Sequence, residues 1–290
     1  MLPASFEYHR PKSVAEAVTL LRKAKGSRLL AGGHSLLPMM KLRMTEPSAL
    51  IDLGGIAALR GIKKVGAKLV IGAMTTQHEV LASALAARNC PILQETAMQI
   101  SDPQIRYMGT VGGNVANGDP GNDLPAVMLA LDATYKITGP TKARGVKARD
   151  FYKGTYDTAL KAGEIVTAIE IPAVAKQAYA YEKLKRKIGD YATAAVAVVL
   201  TMKGGKVAAC AIALTNLGPT PLLAEAAAAA LIGRIPDDAA IAEAVAAARK
   251  IMDPASDTRG TPAYRISVGG TYVARALKRA IARAGAGAGA

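Results

Sequence analysis

Residues 110–125 read TVGGNVANGDPGNDLP, with four glycines, three asparagines, two aspartates and two prolines in sixteen positions. So much glycine and short polar side chain predicts a loop, unable to pack a core or hold a regular helix. Apolar runs nevertheless crowd both sides of it, PILQETAMQI (91–100) before and AVMLALDA (126–133) after. Paired glycines let backbone approach a bound group closely, and successive N–H groups can form an anion-binding concavity.

A second such segment, LLAGGHSLLP (29–38), follows the strand-like SRLL. Either loop alone also reads as a tight turn needing positive φ. Together they suit a diphosphate held between them, with Asn114 and Asp123 facing ribose or ribityl hydroxyls. The same pair suits a nucleotide-binding regulatory or scaffold protein without a redox role.

The better-known alternatives are missing. No G-x-G-x-x-G opens a helix after a strand, and no G-x-x-x-x-G-K-[ST] occurs. His9, His34 and His78 lie far apart and none sits in H-E-x-x-H, which argues against zinc. Ser35 lacks the G-x-S-x-G context of a hydrolase nucleophile. Cys90 and Cys210 are the only cysteines, too few for a disulfide framework or a cysteine-ligated cluster, and both read as buried small residues.

A net charge of +15 raises the question of nucleic acid. The lysines and arginines are spread along the chain, aromatics are 4%, and no recognition motif accompanies them. The charge reads as a solvated surface or a face toward an acidic partner. MLPASFEYHRPKS contains no secretory apolar region, and the longest apolar run, 191–202, falls well short of the ~20 residues of a membrane span. A cytoplasmic location is expected, with peripheral membrane contact left open.

Elsewhere the pattern gives a helix in KSVAEAVTLLRKAKG with a Ser13–Glu16 capping box, and another from Thr76, capped by Glu79, through about Arg88. PILQETAMQI and DLPAVMLALDA read as helices; ALIDL, KLVIGAMT, ATYKIT and EIVTAIEIP read as strands. From about Gln177, YATAAVAVVLTMKGGKVAACAIALTN predicts an antiparallel pair around a glycine turn. Three helices then follow: PLLAEAAAAALIG, DDAAIAEAVAAARKIM and about 271–284. The fold class is α+β: lobes of about 1–53 and 54–176, a sheet-plus-helices domain over 177–284, and a disordered tail at 285–290.

AGGHSLLPMMKLR (31–43) together with GTVGGNVANGDPGNDLPAVMLALDA (109–133) resembles the FAD-binding medium subunits of molybdenum hydroxylases. The likeness is to the carbon monoxide dehydrogenase type, related to the FAD domain of xanthine dehydrogenase. It extends from FEYHRPKSVAEAV through YEKLKRKIGDYATAAVAV to LTNLGPTPLLAEAA. The resemblance implies a two-lobed FAD-binding domain of the vanillyl-alcohol-oxidase type, followed by an antiparallel-sheet and helix domain. It implies FAD on this chain, and on partner chains a molybdenum cofactor and two [2Fe–2S] clusters. The partners would be a large molybdenum subunit and a small iron–sulfur subunit, assembled as a dimer of heterotrimers.

Position by position, the resemblance implies that Leu29, Leu30, Ala31, Gly32, Gly33, His34, Ser35 and Leu36 wrap the diphosphate. Ile100 and Ser101 would line the flavin pocket. Thr110, Gly113, Asn114, Asn117 and Asn122 would complete a second cradle, and Asp123 would bind sugar hydroxyls. Val166 would pack on the flavin, Lys183 and Asp190 would lie near its ring system, and Tyr191 would lie beside the ring face. The His34 ring is expected in the flavin pocket and Tyr107 at a surface. Asn114 and Asn117 stand where the carbon-monoxide-oxidising members are expected to carry aspartate and histidine; Asn114 is the xanthine-dehydrogenase-like choice.

Overall fold

The computed structural model describes residues 2–172 and 177–286. Near the N-terminus, strands Glu7–His9, Ala49–Asp52 and Arg28–Leu30 form a three-stranded parallel sheet with Ala49–Asp52 in the centre. The helix Val14–Lys23 accompanies it. Ser13 caps this helix through the Glu16 N–H at 3.2 Å, but the Glu16 carboxylate accepts from the Lys12 N–H rather than closing the expected box on Ser13.

Next comes a five-stranded antiparallel sheet, ordered Ile62–Val65, Lys68–Gly72, Ile165–Pro172, Thr134–Thr138, Ala143–Lys147. Small helices pack beside it. The Thr76–Glu79 capping box is present in full, yet the helix does not run on to Arg88. Ser83 ends Gln77–Ala82 and caps a new helix, Ala84–Asn89, with its hydroxyl accepting from the Ala86 N–H. A serine that can bond its own backbone is a favoured place for such a break.

The C-terminal sheet runs Ala178–Leu184, Ala194–Lys203, Lys206–Thr215, Leu222–Leu223, all antiparallel. Both faces of this second strand are buried from Ala194 to Leu200, and the alternation sorts them. Ala195, Ala197 and Val199 join the core shared with the N-terminal half, while Ala194, Val196, Val198 and Leu200 pack under the C-terminal helices. The small residues on the first face admit the helix Asp123–Ala130, every residue of which is buried. A helix with no polar face has to be enclosed on all sides, and this one is.

Two terminal expectations are revised. PLLAEAAAAALIG yields only a short strand, Leu222–Leu223, and a single helical turn, Glu225–Ala229. The last helix begins at Pro262, not near 271, and runs to Ala286. Residues 285 and 286 of the expected tail are therefore helical; 287–290, and the expected break at 176/177, touch positions outside the described residues.

Candidate functional site

The segment 110–125 is not a simple loop. Val111–Ala116 forms a helix, capped by Thr110 through the Gly113 N–H at 3.0 Å. Val111 and Val115, four residues apart, reach the core at 2% and 0% exposure. The glycines that argue against a helix serve packing here. A Cβ at Gly112 would sit 2.5 Å from the Ala73 Cβ, so only glycine lets this helix lie directly on the end of strand Lys68–Gly72.

The two glycine segments touch. A Cβ at Gly32 would come within 2.3 Å of the Met108 carbonyl oxygen, and one at Gly113 within 3.3 Å of the Ala31 Cβ. Gly33 holds φ +79°, which turns the chain from strand Arg28–Leu30 into the helix Leu36–Lys41. After that turn, the N–H groups of Gly33, His34 and Ser35 find no acceptor among the described residues. Nearby, the Asn114 Oδ1 is buried without a donor. Unpaired donors on one loop and an orphaned acceptor on the other suit a ligand bearing both phosphate oxygens and hydroxyls.

Several expected contributors are occupied inside the protein. Thr110 caps the helix, Gly113 donates to it, and the Asn122 amide donates to the Asn114 carbonyl at 2.9 Å. Asn117 ends the helix, its N–H donating to Gly113. These residues shape the second segment rather than offer it free N–H groups. Val166 is 5% exposed within the core, next to Thr167, whose carbonyl accepts from the Ala73 N–H behind Gly112. His34 is exposed. Tyr107 lies at the surface as expected, stacked on His78 with ring centroids 3.9 Å apart.

Asp123 and Lys183 meet each other. The Asp123 carboxylate turns inward at the start of its helix, accepting from the Tyr181 hydroxyl and, at 2.9 Å, from the Lys183 ammonium. Lys183 also donates to the Gln99 carbonyl at 3.1 Å. Burial pushes the Asp123 carboxyl up, and Lys183 and Tyr181 oppose it. Asp123 and Lys183 thus form a buried ion pair at the head of this helix. Tyr181, which the sequence reading passed over, completes this group.

The rest of the expected ring end gathers around the same point. The Ile100 and Ser101 carbonyls both accept from Arg106 Nη1, at 3.0 and 3.1 Å. Ser101 holds φ +45°, a strained value for a residue with a Cβ, and Gly189 packs against it. Asp190 is held by Arg186 and Arg259, each at 3.0 Å. Arg259 also lies over the Tyr191 ring, 5.6 Å from its centroid. Burial and Asp119 raise the Tyr191 phenol, and Ser35 lowers it. Tyr191 also lies against the second glycine segment, where a Cβ at Gly121 would come within 3.1 Å of its ring. Beyond it opens a cavity of about 640 Å³, lined among others by Asp119, Tyr156, Tyr191, Asp257 and Arg265.

Residues 4–174 match the family described as the FAD binding domain in molybdopterin dehydrogenase. Residues 179–280 match the CO dehydrogenase flavoprotein C-terminal domain. The chain is 56% identical to the carbon monoxide dehydrogenase medium chain of Afipia carboxidovorans, over 98% of this chain and 99% of that one. It is 47% identical to the medium chain from Hydrogenophaga pseudoflava, again over 98% and 99%. A crystal structure of the Cu,Mo-CO dehydrogenase in a cyanide-inactivated form superposes with a TM-score of 0.96 at 56% identity, covering 98% of this chain and all of that one. The chain therefore belongs to the FAD-binding family of molybdopterin dehydrogenases, as a medium subunit of the carbon monoxide dehydrogenase type.

Proposed function

We propose that this chain carries electrons within a heterotrimeric molybdenum hydroxylase of the carbon monoxide dehydrogenase type. In this reading a large partner holds the molybdenum cofactor and oxidises the substrate, and a small partner passes electrons through two [2Fe–2S] clusters. FAD on this chain supplies the exchange between those electrons and an external acceptor. The observation that carries the reading is the contact of the two glycine segments, with unpaired N–H groups at Gly33, His34 and Ser35 beside the orphaned Asn114 oxygen.

In that function the residues of 29–36 bind the diphosphate through backbone, and Asn114 orients a hydroxyl. Ile100, Ser101, Asp190 and Tyr191 enclose the ring end. Val166 and Asn117 support it from behind. Asp123 and Lys183 form a closed ion pair that anchors the wall. The division into a FAD-binding part, 1–176, and a C-terminal part, 177–284, belongs to the same proposal and is supported by the two family matches. So do a cytoplasmic location and a dimer of heterotrimers, the symmetric arrangement common for such assemblies. Among the described residues no helix is long and apolar enough to cross a membrane.

Asn114 favours a xanthine-dehydrogenase-like relative and Asn117 departs from the histidine expected of carbon-monoxide-oxidising members, while identity over nearly the whole chain favours the carbon monoxide type. The second observation covers far more positions and decides the assignment. The test is a visible absorption spectrum of the purified protein, or of the apoprotein titrated with FAD. A flavin spectrum at one FAD per chain is expected; a chain that stays colourless with saturating FAD overturns the proposal.

A further inference from the structure

The strand Ala178–Leu184 projects Tyr181 and Lys183 toward one face, where both reach Asp123. Lys185 follows directly on the strand end, within electrostatic reach of Lys183, Asp123 and Arg106. Lys185 is half-buried, and among the described residues no carboxylate pairs with it. Arg106 is in the same condition: its guanidinium is held by the carbonyls of Ile100 and Ser101, with no carboxylate partner among the described residues. Lys183, by contrast, has its charge cancelled by Asp123 at 2.9 Å. The other cations of the segment differ again, Arg186 being tied to Asp190 and Lys187 exposed.

We infer that Lys185, seconded by Arg106, supplies the uncompensated positive charge at the ring end of the cofactor site and so sets the preference of this chain for reduced over oxidised FAD. The inference rests on the proposed FAD function. Reduction of a flavin by two electrons and one proton leaves it one unit more negative. A fixed cation nearby favours that state, whereas a neutralised pair contributes little beyond a dipole. Burial, together with Lys183 and Arg106, depresses the Lys185 ammonium below the usual lysine value, with Asp123 opposing. That direction is the one expected for a cation short of anionic neighbours.

The test uses the full chain, freed of flavin and reconstituted with FAD, with the midpoint potential measured by dye-linked titration beside that of free FAD. Lys185→Met keeps the length of the side chain and is expected to lower the preference for reduced FAD about tenfold, equivalent to about 30 mV for a two-electron couple. Lys185→Arg is expected to hold the original value, and Lys187→Met, which changes an exposed charge nearby, to stay within about twofold of it. An unchanged potential in Lys185→Met, or an equal fall in Lys187→Met, overturns the inference. Failure of the unaltered chain to take up FAD would instead count against the FAD function itself, so the two failures are separable.

Discussion

Lys183 and Asp123 lie 60 positions apart in the chain and meet at 2.9 Å, with side chains 1% and 7% exposed. One stands on the first strand of the C-terminal sheet, the other at the head of the enclosed helix of the FAD-binding half. The pair is a joint between the two halves, fastened further by the Tyr181 hydroxyl.

Breaking that joint from one side should cost more than removing it. Asp123→Asn leaves a buried ammonium without its counter-ion, and Lys183→Met leaves the carboxylate; each is expected to destabilise by about 3–5 kcal/mol. The double variant should be more stable than the sum of the two singles predicts. Denaturant melts of all four proteins give the coupling directly. Additive costs would mean that the two groups do not act on each other.

Asp190 gives the pH dependence. Burial acts to raise its carboxyl, but the bonds from Arg186 and Arg259 prevail and hold it at about 2. Because the folded value lies below the unfolded one, this stabilisation is complete above about pH 4 and is lost as pH falls toward 2. Roughly 2 kcal/mol of stability should disappear across that window in the unaltered chain. Unfolding free energies of the chain and of Asp190→Asn, compared from pH 6 to pH 2, should converge at the acid end.

The contact between the glycine segments predicts a graded response to small additions. Gly32→Ala puts a methyl group against the Met108 carbonyl, where backbone cannot yield without parting the two segments. FAD affinity should fall by at least about tenfold, or ~1.4 kcal/mol. Gly285→Ala, on the last helix where a Cβ meets nothing within 4 Å, should leave FAD affinity unaltered. Equilibrium titration of the apoproteins distinguishes the two.

Cys90 and Cys210 should be inert. Burial pushes both thiols up to about 12, leaving almost no thiolate near neutrality. A chromogenic disulfide reagent at pH 8 should find no fast-reacting thiol in the native chain and two after denaturation. Cys90 is fully buried and Cys210, expected to be buried too, is only half-buried; a rapid native reaction at either would contradict the shielding of these thiols.

The glycine segments were legible because few structures need GG flanked by polar residues in an apolar chain. What happens between them was less so. Gly112 and Gly113 lower helix propensity, and that rule hides the helix which Thr110, Val111 and Val115 build by capping and core contact. Close approach to Ala73, the reason for Gly112, is a tertiary fact with no local trace. Lys183 reads as a free cation in KLKRK because its neutralising partner is remote in sequence. Tyr181 passes for an ordinary strand aromatic for the same reason. Ser83 shows the opposite case: its capacity to cap was visible, but the helical run around it concealed the break.

The enclosure of Asp123–Ala130 also bears on how this chain can be recombined with its relatives. The helix belongs by sequence to the FAD-binding part, but its bed is Ala195, Ala197 and Ala213 of the other part. The two segments are therefore not interchangeable cassettes. A C-terminal half grafted from another medium subunit would have to bring equally small residues at those three positions. A valine at any one of them would lift the helix, and with it Asp123, off the sheet.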